Sequence, residues 1–251
     1  MRPSSTESSS APMERTANAP SRPALPRQYV NFSFYKVETA WRRLPVEERR
    51  KGKDEFINVL EDGMGGTVMT HAYSTVGTRA DMDLCIWRIA SELEPLQDMT
   101  SKLLNTGLGA YLNSTYSLTG QTKRSVYVDK INPEHENSRV YIRPAQTKYI
   151  FIYPFVKTRA WYQMSKHARQ GVMDEHIEIG NKYPSVKLNT IYSFGLDDQE
   201  FVVAFETDHP SDFLDLVMEL RETEGSLYTQ RDTPIITGIR RSFAEAVDLL
   251  G

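Results

Sequence analysis

The chain has 251 residues, with 30 lysines plus arginines against 33 aspartates plus glutamates, and one cysteine. So even a balance provides no general basic field to hold nucleic acid or anionic lipid without sequence preference. One cysteine excludes an internal disulfide, no CxxC pattern offers a zinc site, and no apolar run reaches the roughly 18 residues a membrane span needs. With no apolar stretch of secretory type near the N-terminus, a cytoplasmic protein is expected.

Residues 1–26 are rich in Ser, Pro and Ala and hold too few apolar side chains to offset ordering entropy, so a disordered tail is expected there. The first strand begins in "RQYVNFSFYKV", where Val30, Phe32 and Phe34 alternate with Asn31, Ser33 and Tyr35. Cys85, inside "DLCIW", reads as a small core residue.

An internal repeat organises the rest. The stretch "FYKVETAWRRLPVEERRKGKDEF" (34–56) lies on "FVKTRAWYQMSKHARQGVMDEH" (155–176) at an offset of 120, which places Trp41 on Trp161, Asp54 on Asp174 and Glu55 on Glu175. Further along, "VMTHAYSTVG" (68–77) lies on "VKLNTIYSFG" (186–195) at an offset of 119, with Tyr73 on Tyr192 and Ser74 on Ser193. Each half then reads strand, helix, strand, strand, helix, strand, the order of a ferredoxin-like split βαβ unit. The expected organisation is an α+β fold with a first half at 27–130, a linker at 131–147 and a second half at 148–251. Two such sheets in one chain either pack face to face or close into a barrel, which hides their edges. In the last long helix, Ser211 is the expected N-cap, followed by Leu214, Val217, Met218 and Arg221 at helical spacing.

The repeat isolates one histidine. His176 occupies the position that Phe56 holds in the first half, so a group able to coordinate replaces an apolar residue. It is either a hydrogen-bonded core histidine or an axial ligand to haem iron, and no second histidine three or four residues on completes a zinc site. In "YPFVKTRAW", Tyr153, Lys157 and Trp161 recur every four residues. They are either a strand end with a surface charge and a core indole, or a pocket for an anionic aromatic ligand.

The segments "YPFVKTRAWY", "MDEHIEIGNKYP", "YSFGLDDQEFVVAFET" and "LVMELRETEGSLYTQRDTP" together resemble the chlorite dismutase family, in its coproheme decarboxylase branch. The resemblance implies a dimeric α+β barrel in each chain, a homopentameric ring, and coproheme or haem b bound in the C-terminal half. It implies that His176 is the proximal iron ligand, that Tyr153 is the tyrosine oxidised to a radical, and that Lys157 contacts a propionate. Arg139, with Arg143 as the alternative, and Ser226 fall where propionate contacts are expected, and Glu224 where the proximal imidazole would be oriented. The reaction implied is peroxide-dependent oxidative decarboxylation of two propionates, giving haem b.

One position departs from the chlorite-degrading members. They carry an arginine seven residues before the glycine of "GLDD", where this chain has Leu188. An apolar residue there is similar to the actinobacterial decarboxylases, whose distal histidine corresponds roughly to Arg139, with His135 four residues away. Without that arginine, chlorite lacks the cation that would hold it over the iron. The alternatives are a chlorite dismutase-like haem peroxidase, a haem-binding protein without turnover, and a barrel without haem in which His176 is simply buried.

Overall fold

The computed structural model describes residues 27–125, 127 and 141–251. The expected tail and most of the expected linker, including Arg139 and His135, lie outside the described residues. The first half comprises β1 (Tyr29–Val37), α1 (Val46–Gly66), β2 (Val68–Ser74), β3 (Leu84–Ala90), α2 (Glu94–Leu104) and β4 (Leu112–Gln121). The second comprises β5 (Tyr149–Lys157), α3 (Arg159–Gln163), α4 (Lys166–Asn181), β6 (Lys187–Tyr192), β7 (Phe201–Thr207), α5 (Pro210–Glu222), a short β8 (Thr229–Arg231), β9 (Ile236–Arg241) and α6 (Phe243–Asp248).

The strands hydrogen-bond in the order β7-β6-β4-β1-β3-β2-β9-β5-β8, and β7 also pairs with β5. That last pairing closes the sheet into a barrel and leaves β8 outside the ring. Closure removes the free edges that two separate sheets would expose. The seams between the halves are short: β4 meets β6 at Gln121 and Tyr192, and β2 meets β9 over Ala72–Ser74.

Strand periodicity sorts the apolar residues into three clusters. Val30, Phe32, Phe34, Cys85, Trp87, Ile150 and Ile152 fill the barrel interior. Outside the first half, Phe56 and Leu60 of α1 and Leu96, Met99 and Leu103 of α2 cover the sheet, each side chain contributing roughly 1.5–3 kcal/mol by burial. Outside the second half the cluster reduces to Phe151, Phe205, Phe213 and Leu216 as its fully buried members. The polar face of β1 is covered too. Asn31 and Ser33 are buried, and they accept from the Arg88 guanidinium at 2.6 and 2.7 Å, which satisfies groups that would be costly to bury alone.

The cap of α5 corrects one expectation. The helix begins at Pro210 with His209 as N-cap, so Ser211 lies inside the first turn. Proline has no N–H to satisfy and its fixed φ suits the first helical position, which moves the start two residues upstream of the serine-based reading. Ser165 does cap α4, its hydroxyl accepting from the Ala168 N–H at 3.2 Å.

Candidate functional site

The register of three strands builds one wall. Leu188 pairs with Phe205 and Phe205 with Phe151, while Thr190 pairs with Val203 and Val203 with Tyr153, so all six residues share the outer face of the second half. Helix α4 faces this wall. Val172, His176 and Ile179 lie four and three residues apart on one side of it, and Ile179 packs against the Phe151–Phe205 cluster. Yet Val172 is the one residue α4 fully buries, whereas its counterpart α1 buries Phe56 and Leu60. Phe56 is 0% exposed; its repeat partner His176 is half-buried, and Leu188, on the wall, is 45% exposed. The second half has therefore opened between helix and sheet where the first is packed solid.

The imidazole in that opening is neutral. Burial lowers its pKa to about 4, the Lys157 ammonium adds to the shift, and Glu175 opposes it. Among the described residues no side chain hydrogen-bonds it. Gly225 lies against it: a Cβ built there would stand 3.9 Å from Nδ1 of His176 and 3.6 Å from Cγ1 of Val172.

Lys157 reaches the same corner. Its Nζ donates to the Gly225 carbonyl at 3.1 Å and sits 4.6 Å from the ring centroid of Trp161, which is buried. Burial depresses the ammonium pKa to about 8, with Glu200 opposing. The residue stands at a bulge where β5 leaves β9 for β8, between Val156 and Lys157. Trp161 in turn leans on Tyr228 at 5.6 Å.

Tyr153 lies on the wall four residues before Lys157 on β5, stacked on Phe205 with centroids 5.9 Å apart and planes 18° apart. Burial pushes its phenol pKa well up and Asp232 adds to this, while Arg221, ion-paired with Asp232, opposes it; the phenol is protonated. The remaining expected residues are more dispersed. The Ser226 hydroxyl lies 2.8 Å from the carbonyls of both Arg221 and Thr223, at the end of α5. Glu224 is exposed, its backbone N–H donates to Glu175 at 3.2 Å, and among the described residues no hydrogen bond joins its carboxylate to the imidazole. Arg143 is exposed, and its carbonyl accepts from Lys187. Sequence reasoning missed Gly225, although "EGSLY" contains it, and also Glu200, which accepts from the Lys157 backbone N–H, and Tyr162, whose hydroxyl donates to the same carboxylate.

The contents of the opening suit a flat apolar macrocycle with a metal at its centre and anions at its edge. A neutral imidazole stands above a wall of Leu188, Thr190, Val203 and Phe205, with a cation at one end and a phenol on the wall. Among the described residues no cluster of three His, Cys, Asp or Glu could hold a bare metal ion, so His176 would contribute a single axial bond. No described helix is long and apolar enough to cross a membrane.

The chain is similar to known proteins in sequence and fold. The coproheme decarboxylase of Mycolicibacterium smegmatis (strain ATCC 700084 / mc(2)155) is 31% identical over 219 residues, covering 86% of this chain and 90% of that protein. The structure of a chlorite dismutase from Candidatus Nitrospira defluvii superposes with a TM-score of 0.82 at 26% identity, over 89% of this chain and 94% of that one. A heme-binding protein from Thermus thermophilus shares the fold, with a TM-score of 0.78 at 24% identity over 90% and 96% of the two chains. Residues 49–241 match the family described as Chlorite dismutase. With a family match over most of its length and a relative of that identity, the chain belongs to the chlorite dismutase family, which includes haem-dependent enzymes.

Proposed function

We propose that the protein is a peroxide-dependent coproheme decarboxylase that converts iron-coproporphyrin III to haem b. The observation that carries this reading is the neutral His176 imidazole held over an open apolar wall that also bears Tyr153. The relative described as a coproheme decarboxylase supports the choice of tetrapyrrole. Each of two propionates reacts with one hydrogen peroxide: the side chain loses carbon dioxide and two hydrogens to become a vinyl, and the peroxide is reduced to two waters. When bound, the iron tetrapyrrole is both substrate and the centre that activates peroxide.

The chain's residues have separate tasks. His176 would hold the iron, since its depressed pKa keeps the lone pair free of a proton at neutral pH. Tyr153 would give one electron and its phenolic proton to the reduction of peroxide and be restored by a hydrogen atom from the propionate side chain. That side chain loses carbon dioxide and, as its second electron and carboxyl proton also pass to the peroxide, becomes a vinyl. Lys157, backed by Trp161, supplies the cation for a propionate at its end of the slot. Ser226 and Arg139, or Arg143 in its place, would meet the other carboxylates. Leu188 carries no charge to hold chlorite over the iron, which favours decarboxylation over chlorite degradation. Assembly as a homopentamer in the cytoplasm completes the reading.

The test is a titration with iron-coproporphyrin III followed by peroxide. A Soret band that shifts on binding, then stoichiometric appearance of haem b, is the expected outcome. Binding with no change in the tetrapyrrole would leave a haem-binding protein without turnover, and no binding would remove the haem reading altogether.

A further inference from the structure

We propose that Glu200 is a positioning residue for Lys157, holding the lysine at the end of the slot by gripping its backbone and the helix beneath its ammonium. The inference rests on the tetrapyrrole reading above and identifies what fixes one of its binding groups.

Strand β7 begins at Phe201, paired with Phe155, so the ladder between β7 and β5 stops short of Lys157. The Lys157 N–H is left without a strand partner on that side, and a buried donor must find one. It donates to Oε2 of Glu200 at 2.8 Å. The same oxygen accepts from the Tyr162 hydroxyl at 2.5 Å. Tyr162 belongs to α3, the short helix that also carries Trp161, whose ring lies under the Lys157 ammonium. One carboxylate thus ties down the root of the lysine and, through α3, the indole against which its head rests. Both bonds end on a charged acceptor, the stronger class of hydrogen bond.

The repeat separates scaffold from elaboration. In the first half Asp83, which directly precedes β3 as Glu200 precedes β7, accepts from the Val37 N–H at 3.1 Å. Its carbonyl accepts from Thr75 at 3.0 Å, as that of Glu200 accepts from Ser193 at 2.8 Å. A carboxylate capping the strand end is therefore common to both halves. At the two positions 120 residues on, Val37 has become Lys157 and Arg42 has become Tyr162. The second half has put a cation on the capped residue and a phenol on the same carboxylate, in the half whose helix has drawn back from the sheet.

The test is a double-mutant cycle on the apoprotein, read as the Kd for iron-coproporphyrin III with peroxide absent. Lys157→Ala should weaken binding, and Glu200→Ala should do so about tenfold, the scale of one lost charge-assisted contact. In the Lys157→Ala background, Glu200→Ala should change Kd by less than about twofold, because its effect has no lysine left to act through. Tyr162→Phe, a milder change with about threefold expected, runs through the same cycle should Glu200→Ala fail to fold. Equal losses in both backgrounds would overturn the proposal and leave Glu200 as a strand cap like Asp83. Wild-type protein that binds but is indifferent to Lys157→Ala would also overturn it, whereas wild-type protein that does not bind would defeat the functional reading itself.

Discussion

Replacing His176 with phenylalanine copies the first half, where Phe56 fills the equivalent place, and it separates ligand from scaffold. The imidazole's folded pKa, about 4, lies below its ordinary value of 6.5, so the unfolded chain binds a proton more readily than the folded one. Stability of the apoprotein contributed by this group is complete above 6.5 and is lost as pH falls from there through about 4. Between about pH 7 and pH 5 the linkage comes to at most about 2 kcal/mol, since a tenfold difference in proton affinity corresponds to about 1.36 kcal/mol and the ring keeps some solvent contact. Urea unfolding of the apoproteins at those two pH values should show a pH difference that is larger in wild type than in His176→Phe by up to that amount, His71, whose pKa burial also lowers, contributing equally to both. At neutral pH the variant should be as stable as wild type or more so, because phenylalanine adds apolar area to the Val172–Ile179 face. It should also fail to retain iron-coproporphyrin III. An unchanged pH difference in the variant would refute the buried neutral imidazole, and retention of the tetrapyrrole with unaltered ferric spectra would refute ligation.

Three further outcomes follow from the same geometry. Since burial holds the Lys157 ammonium down to about 8, affinity for the anionic tetrapyrrole should fall as pH rises through that value, and Lys157→Met should flatten the profile; a wild-type profile that stays flat would count against the lysine. Gly225→Ala should bind almost normally, because a Cβ there meets Nδ1 of His176 at 3.9 Å, while Gly225→Val should push on the imidazole and weaken binding; equal affinity in both would show that the glycine sets no limit. With chlorite, oxygen electrode traces should stay near background, and rapid sustained oxygen release would contradict the role given to Leu188.

Much of the fold is written in the spacing of a few residues. Trp41 and Trp161 at an offset of 120 locate both halves, and the alternation in β1 locates its barrel-facing side at Val30, Phe32 and Phe34. Periodicity does not choose between packed sheets and a closed barrel because the seams that decide it are slight, one of them being Gln121 against Tyr192. The α5 cap departs from expectation because a serine preference yields to the stronger backbone demand of Pro210. At the site, the substitution of His176 for a core phenylalanine is legible, as is Tyr153 sharing a face with Phe151. Direction is not. Lys157 turns to the carbonyl of Gly225 beside the imidazole, and Glu200 works through a backbone N–H that every residue but proline possesses, so no side-chain pattern announces it.

The central claim rests most directly on the tetrapyrrole recovered after peroxide treatment of wild type and Tyr153→Phe. Loss of one oxygen removes the oxidisable phenol while keeping the ring stacked on Phe205, so folding and coproheme binding should survive at a cost of about 1 kcal/mol. Mass spectrometry should find two propionates converted to vinyls in wild type and intact iron-coproporphyrin III in the variant. Unconverted substrate in wild type, or conversion by the variant at a rate near wild type, would contradict the account.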